Sequence, residues 1–162
     1  SDVCSSDLPT PHTMVYDTTT QTIVATNTAQ VITFNTVDGT AGITLVTSGG
    51  KASRITLPAV GTYVFSVSAV VQSAAANKTC SIWFRKNGSD VTASNTKVTC
   101  LNAEPTVLAV PINLDCTTPG DYYELWMAGT DTSCGIYATA ASAGPPAQPS
   151  VPSIIVSVVQ VS

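Results

Sequence analysis

Apolar and polar positions alternate with a period of two along much of the chain, as in strands that bury one face. Residues 63–71 show this best. Tyr63, Phe65, Val67, Ala69 and Val71 fall on one face, Ser66 and Ser68 on the other, and Gly61 marks the start. Residues 79–86 follow, with Ile82 and Phe84 on one side and Trp83 and Arg85 on the other. Asn87-Gly88 then predicts a tight hairpin, because a type I′ turn needs positive φ twice. Residues 90–98 are expected to return along it. Residues 107–114 align Leu108, Val110, Ile112 and Leu114. Pro111 inside that run predicts a sheet edge or a bulge, since proline offers no N–H to a ladder. Pro119-Gly120-Asp121 is a turn feeding 122–128, where Tyr123, Leu125 and Met127 alternate with Tyr122, Glu124 and Trp126. Weaker strands are expected over 14–24, 30–35, 43–46 and 134–139 and at Ile55 with Leu57, and a Gly/Pro loop over 143–152. No stretch keeps a 3.6-residue period, and turn signals recur every 8–15 residues. The pattern predicts an all-β, antiparallel fold, either a two-sheet sandwich or a barrel.

The last run, 153–161, departs from simple alternation. Ile154, Val156 and Val158 share one face, and Ile155, Val159 and Val161 the other. A strand apolar on both sides needs cover on both sides. In a two-layer sandwich only one face reaches the core, and the chain holds no helical layer for the other. The outer face is therefore expected to be buried against other subunits. Ile155, Ser157, Val159 and Val161, with Ser66 and Ser68 of the neighbouring strand, are the expected interface residues.

Composition narrows the function classes. The 162 residues fit one domain. Only 10% are charged, against about 25% in an average soluble protein. The net charge is −4 with 6 Lys+Arg, so no phosphate-neutralising patch forms and nucleic acid is not an expected partner. The longest apolar stretch, 151–161, is interrupted by Pro152, Ser153, Ser157 and Gln160, far short of the roughly 18–20 residues of a membrane helix. Ser1–Leu8 matches the translation of a common sequencing adapter. We expect it to be read-through rather than native sequence, with the true gene beginning further upstream and the single domain occupying 9–162.

Three groups of residues then occur in order: Gly61, Tyr63 and Phe65; Asn87-Gly88; and Gly120-Asp121 ahead of an apolar strand. This order resembles the core pattern of complement globular-head and tumour-necrosis-factor (TNF)-like jelly rolls. The opening Tyr16-Asp17-Thr18-Thr19-Thr20-Gln21-Thr22 and the ending over 149–161 are similar to virion structural proteins of tailed bacteriophages. That resemblance implies a homotrimer of jelly rolls used as a head or tail appendage or fibre. Its location would be the virion, its partners other virion proteins and a host-surface glycan. The four cysteines within 9–162 and an insert-like 99–106 depart from the pattern.

Chemistry is sparse. His12 is the sole imidazole, and no Gly-x-Ser-x-Gly elbow exists. Asp121 and Glu124 are three apart on a strand, so they point to opposite faces, unlike a glycosidase pair. Asp90, Asp115 and Asp131 lie in separate turns and would meet only across subunits. No cofactor is expected; Ca²⁺ on loop carboxylates is the one metal the composition allows. Cys80, Cys100, Cys116 and Cys134 lack Cys-x-x-Cys spacing, which argues against zinc. Disulfides Cys80–Cys100 or Cys116–Cys134 require adjoining strands. Free buried thiols are favoured for a protein assembled in reducing cytoplasm. Trp83, Trp126 and Tyr122 alternate with core residues and are expected to face outward, at an interface or against a glycan, with burial in the core through a local bulge as the alternative. The leading reading is a non-enzymatic virion appendage protein. Its alternatives are a secreted complement- or TNF-like ligand or lectin-like module, and a glycan-degrading appendage with an intersubunit site.

Overall fold

A computed structural model of the chain describes residues 9–162; the expected read-through at 1–8 lies outside the described residues. In chain order the strands are β1 (His12–Asp17), β2 (Gln21–Thr22), β3 (Gln30–Val31), β4 (Thr36–Ala41), β5 (Thr44–Ser48), β6 (Lys51–Thr56) and β7 (Gly61–Gln72). They continue with β8 (Lys78–Lys86), β9 (Ser89–Asp90), β10 (Thr96–Cys100), β11 (Thr106–Cys116), β12 (Tyr122–Gly129), β13 (Gly135–Ile136) and β14 (Ile154–Gln160). Among the described residues there is no helix.

Two antiparallel sheets result. Sheet A runs β4–β1–β14–β7, with β11 on the far side of β7. Sheet B runs β5–β6–β12–β8–β10, with β3 on β12 and β9 on β8. The chain crosses repeatedly between the sheets, so each is assembled from strands distant in sequence. This is an all-β sandwich, one of the two architectures that the turn spacing predicts, wound as the jelly roll that the resemblance implies. Where β14 stops, at Ile154 opposite Ala69, the short β13 takes over the same edge of β7 at Val71 and Gln72.

The core lies between the sheets. Tyr63, Phe65, Val67, Ala69 and Val71 of β7 are buried, as are Ile82 and Phe84 of β8 and Tyr123, Leu125 and Met127 of β12. Phe65 reaches across to sheet B, with ring centroids 5.4 Å from Phe84 (edge-on) and 5.3 Å from Tyr123. Such pairs add roughly 0.5–1.5 kcal/mol beyond the area they bury. Gly61 sits at φ +149°, and a Cβ there would lie 2.0 Å from the Ser162 carbonyl oxygen. Only glycine fits where the last strand passes the start of β7.

β14 is a central strand. It pairs with β7 from Ile154 opposite Ala69 to Gln160 opposite Tyr63. On its other side Ser153 N–H donates to Asp17 O at 2.9 Å, and Gln160 N–H to Pro11 O at 2.9 Å. β11 pairs with β7 alone, so Pro111 lies on an edge strand, as its missing N–H predicts.

Several expected strands are shorter than the sequence suggests. β1 ends at Asp17 and only Gln21–Thr22 resumes, while 134–139 keeps only Gly135–Ile136. The return over 90–98 is broken. Asp90 faces Arg85, but Thr96 faces Ile82, so the register slips by three residues between them. Ser94 fills the gap. Its Oγ accepts the Phe84 N–H at 3.0 Å and donates to Val91 O at 2.8 Å, and Ala93 turns the chain at φ 63°.

Candidate functional site

The outer face of sheet A is built by β7 and β14. Opposite residues of an antiparallel pair share a face, and the register sets Ile155 beside Ser68, Ser157 beside Ser66 and Val159 beside Val64. All six expected interface residues thus lie on one patch, with Val161 next along the strand. Ala109 and Pro111 of β11 extend it, opposite Ser68 and Ser66. No outward side chain of β7 or β14 is charged. Val107, Val159 and Val161 are 65%, 40% and 56% exposed. Among the described residues nothing covers this face.

The outer face of sheet B is its opposite in chemistry. There Trp126 pairs with Trp83 and Glu124 with Arg85 across β12 and β8. The Arg54 Nε–H donates to Glu124 Oε1 at 3.0 Å, and the Trp126 indole to Glu124 Oε2 at 3.2 Å. Arg54 lies 4.5 Å over the Tyr122 ring, and Arg85 lies 3.9 Å over Trp126. These guanidiniums occupy the ring faces a sugar would use. Trp83 differs. Arg85 stands 6.0 Å from its ring centroid, at the limit of such contact. Its indole N–H is held by Asp90 Oδ1 at 2.8 Å, which also takes the Arg85 Nε–H at 2.6 Å. Those bonds, Arg85 first and Trp83 second, hold the Asp90 carboxyl below the usual carboxylate range. Trp83 borders an open groove of about 430 Å³ with Ser81, Asp90, Asn95, Lys97 and Ala128.

The remaining chemistry-bearing residues are spent on the fold. Asp121 is 7% exposed. It accepts bonds from Asn87 Nδ2 (2.8 Å), Thr117 N–H (2.8 Å) and Thr118 N–H (3.1 Å), and pairs with Lys86 Nζ at 2.9 Å. Burial pushes its carboxyl up, but the bonds from Lys86, Asn87 and the two backbone N–H groups outweigh it and hold it well below the usual range. Asp17, fully buried, pairs with Lys51 at 3.2 Å. Asp131 is held by Ser133, and Asp115 takes the Thr62 hydroxyl. Asp90, Asp115 and Asp131 are thus each bonded within their own turn or to a neighbouring strand. Among the described residues no three His, Cys, Asp or Glu are grouped to hold a metal ion. His12 is exposed, with its ring Nδ1 2.8 Å from the Thr10 carbonyl oxygen.

Of the two disulfide pairings, Cys80 and Cys100 adjoin on β8 and β10, with sulfurs 3.7 Å apart and unbonded. Cys116 and Cys134 do not adjoin. Cys116 meets Thr118 O at the Tyr122 end of β12, while Cys134 packs on Gly129 at the other end. Burial pushes the Cys80, Cys100 and Cys116 thiols up, which favours their neutral form.

No protein-family model matches the chain, and no curated protein does. Solved structures do. Two crystal structures of murine APRIL, at pH 5.0 and at pH 8.5, each superpose with TM-score 0.56 at 8% identity, covering 94% of this chain and 100% of that one. At that identity the likeness is one of fold: the chain is an all-β, two-sheet jelly roll of the TNF-like type.

Proposed function

We propose that the protein is a non-enzymatic binding domain that works as a homotrimer, each copy burying the outer face of sheet A against its neighbours. One observation carries this. The central strand β14 presents Ile155 and Val159 outward, followed by Val161 and beside Ser66 and Ser68, on a face where β7 and β14 carry no charge and nothing among the described residues lies over it. Interface cores are depleted of charged residues in the same way, and closed rotational symmetry buries such a patch on every copy at once. The threefold order comes from the resemblance to TNF-like jelly rolls.

Sedimentation equilibrium at micromolar concentration tests it. The expected mass is three times the 16.6 kDa chain. Ser157→Arg should give a folded monomer, because Ser157 is exposed in the single chain. A wild-type monomer, or a trimer undisturbed by Ser157→Arg, overturns the proposal.

The setting has two readings. The fold favours a TNF-like ligand or lectin-like module. The likeness of the opening over 16–22 and the ending over 149–161 to tailed-phage virion proteins favours an appendage domain on a phage particle that attaches to a host surface. Phage structural genes flanking the coding sequence would select the second. A collagen-like or secretory segment joined to the domain would select the first.

A further inference from the structure

The molecule has six Lys and Arg residues. Five are committed to carboxylates: Lys51 to Asp17, Arg54 to Glu124, Lys78 to Asp131, Arg85 to Asp90 and Lys86 to Asp121. Among the described residues Lys97 alone has no such partner, and it stands in the groove beside Trp83. The groove has a structural cause. Ser81 and Ala128 face each other across β8 and β12, and two small side chains leave a trough between the Trp83 ring and Lys97. Asp90 and Asn95, one on each side of the Ser94 insertion, border it as well. A second trough of about 190 Å³ shares Ser81, Lys97 and Ala128, and continues past Thr79 and Thr130.

We propose that this groove binds an acidic saccharide, with a sugar ring laid on Trp83 and its carboxylate on Lys97. The aromatic platform offers apolar area to the C–H face of a pyranose. The Asp90 carboxylate, the Asn95 amide and the Ser81 hydroxyl supply the mixed acceptors and donors a polyhydroxylated ring needs. The Trp83 indole is already fixed by Asp90, so little side-chain entropy is lost on binding. Trp126 and Tyr122 are not part of the site, because Arg85 and Arg54 lie on their rings. Lys97 supplies the preference for an anion. A polyanionic nucleic acid does not fit a protein of net charge −4 with only 6 Lys+Arg. The groove is on sheet B, so the inference does not depend on assembly through sheet A.

The test titrates the full chain with three probes, following tryptophan fluorescence: an oligogalacturonate of two to four sugars, the matching neutral galactose oligomer, and tetraglutamate. Saturable binding of the oligogalacturonate, at least tenfold tighter than of the other two, is expected. Lys97→Gln should remove that tenfold preference while sparing neutral-sugar binding. Trp83→Ala should weaken both sugars at least tenfold, and Trp126→Phe should leave them unchanged. Lys97 is exposed, so its variant keeps the result readable even if Trp83→Ala folds poorly. No saturable binding of either sugar, or tetraglutamate binding as tightly as the uronate, overturns the proposal.

Discussion

Asp121→Ala is the most direct probe of what ties the loops at one end of the sandwich together. The carboxylate joins the Asn87-Gly88 turn, the Thr117-Thr118 loop and Lys86 of β8. Removing one partner of a buried ion pair costs about 3–5 kcal/mol. Two features place this case at the lower end. Lys86 keeps bonds to Asp115 O at 2.7 Å and Thr117 Oγ1 at 3.1 Å. Thr117 and Thr118 are exposed, so water reaches their freed N–H groups. The expected loss is about 3 kcal/mol, or roughly 6–12 °C in Tm for a domain of this size. Thermal unfolding by circular dichroism at fixed concentration measures it, with Glu104→Ala on an exposed loop as a near-neutral control. The pH dependence follows from the lowered Asp121 carboxyl. A group depressed in the fold contributes fully above its unfolded value, near 3.9, and loses that contribution as pH falls below it. The gap between wild type and variant should therefore narrow from pH 5 downward. A Tm shift under 2 °C at pH 7, or a gap that does not narrow in acid, refutes the reasoning.

Gly61→Ala should cost about 2–3 kcal/mol, because φ near +149° suits glycine alone and the Cβ meets the Ser162 carbonyl; urea unfolding with an unchanged m-value checks it, and a variant as stable as wild type contradicts it. Ser94→Ala should cost about 1–2 kcal/mol by leaving the Phe84 N–H without its acceptor. Amide exchange at Phe84 should accelerate selectively, and an unchanged rate would show that the inserted turn is held another way.

What the sequence discloses depends on whether an element's logic is local. β7 is legible because Tyr63, Phe65, Val67 and Ser66, Ser68 alternate without interruption, and burial follows that alternation residue by residue. Pro111 discloses an edge because a missing N–H has the same consequence in any fold. The insertion at 91–95 is hidden. Val91-Thr92-Ala93-Ser94-Asn95 contains neither glycine nor proline, and the turn rests on Ser94 replacing a ladder bond to Phe84, a contact ten residues back. β2 and β13 are hidden because two-residue strands carry no period. Among the three outward aromatics, the distinction between Trp83 and Trp126 depends on where Arg85 lies. Asp90 sets that position from across a hairpin, so no spacing rule reveals it. Lys97 is one lysine among several in the sequence; only the pairing of the other five cations distinguishes it.

The two outer faces address water in different ways, and the contrast says how copies would be oriented. Ten acidic and six basic residues are few for a chain of 162. On sheet B they are placed at the centre of the face, as Arg54–Glu124 and Arg85–Asp90, above tryptophans that would otherwise be bare. On the β7–β14 half of sheet A there are none. A face meant for permanent contact with water gains solubility from charge, and this chain had charges to place there. Its valines and serines instead form a surface whose burial requires no ion to be desolvated, which is the costly step in joining two protein faces. A trimer closed through sheet A turns sheet B, and with it the Trp83–Lys97 groove, to the outside on every copy. On the proposed trimer, three grooves would bind a repeating polysaccharide with an avidity no single groove supplies, so a weak intrinsic site would be sufficient for attachment.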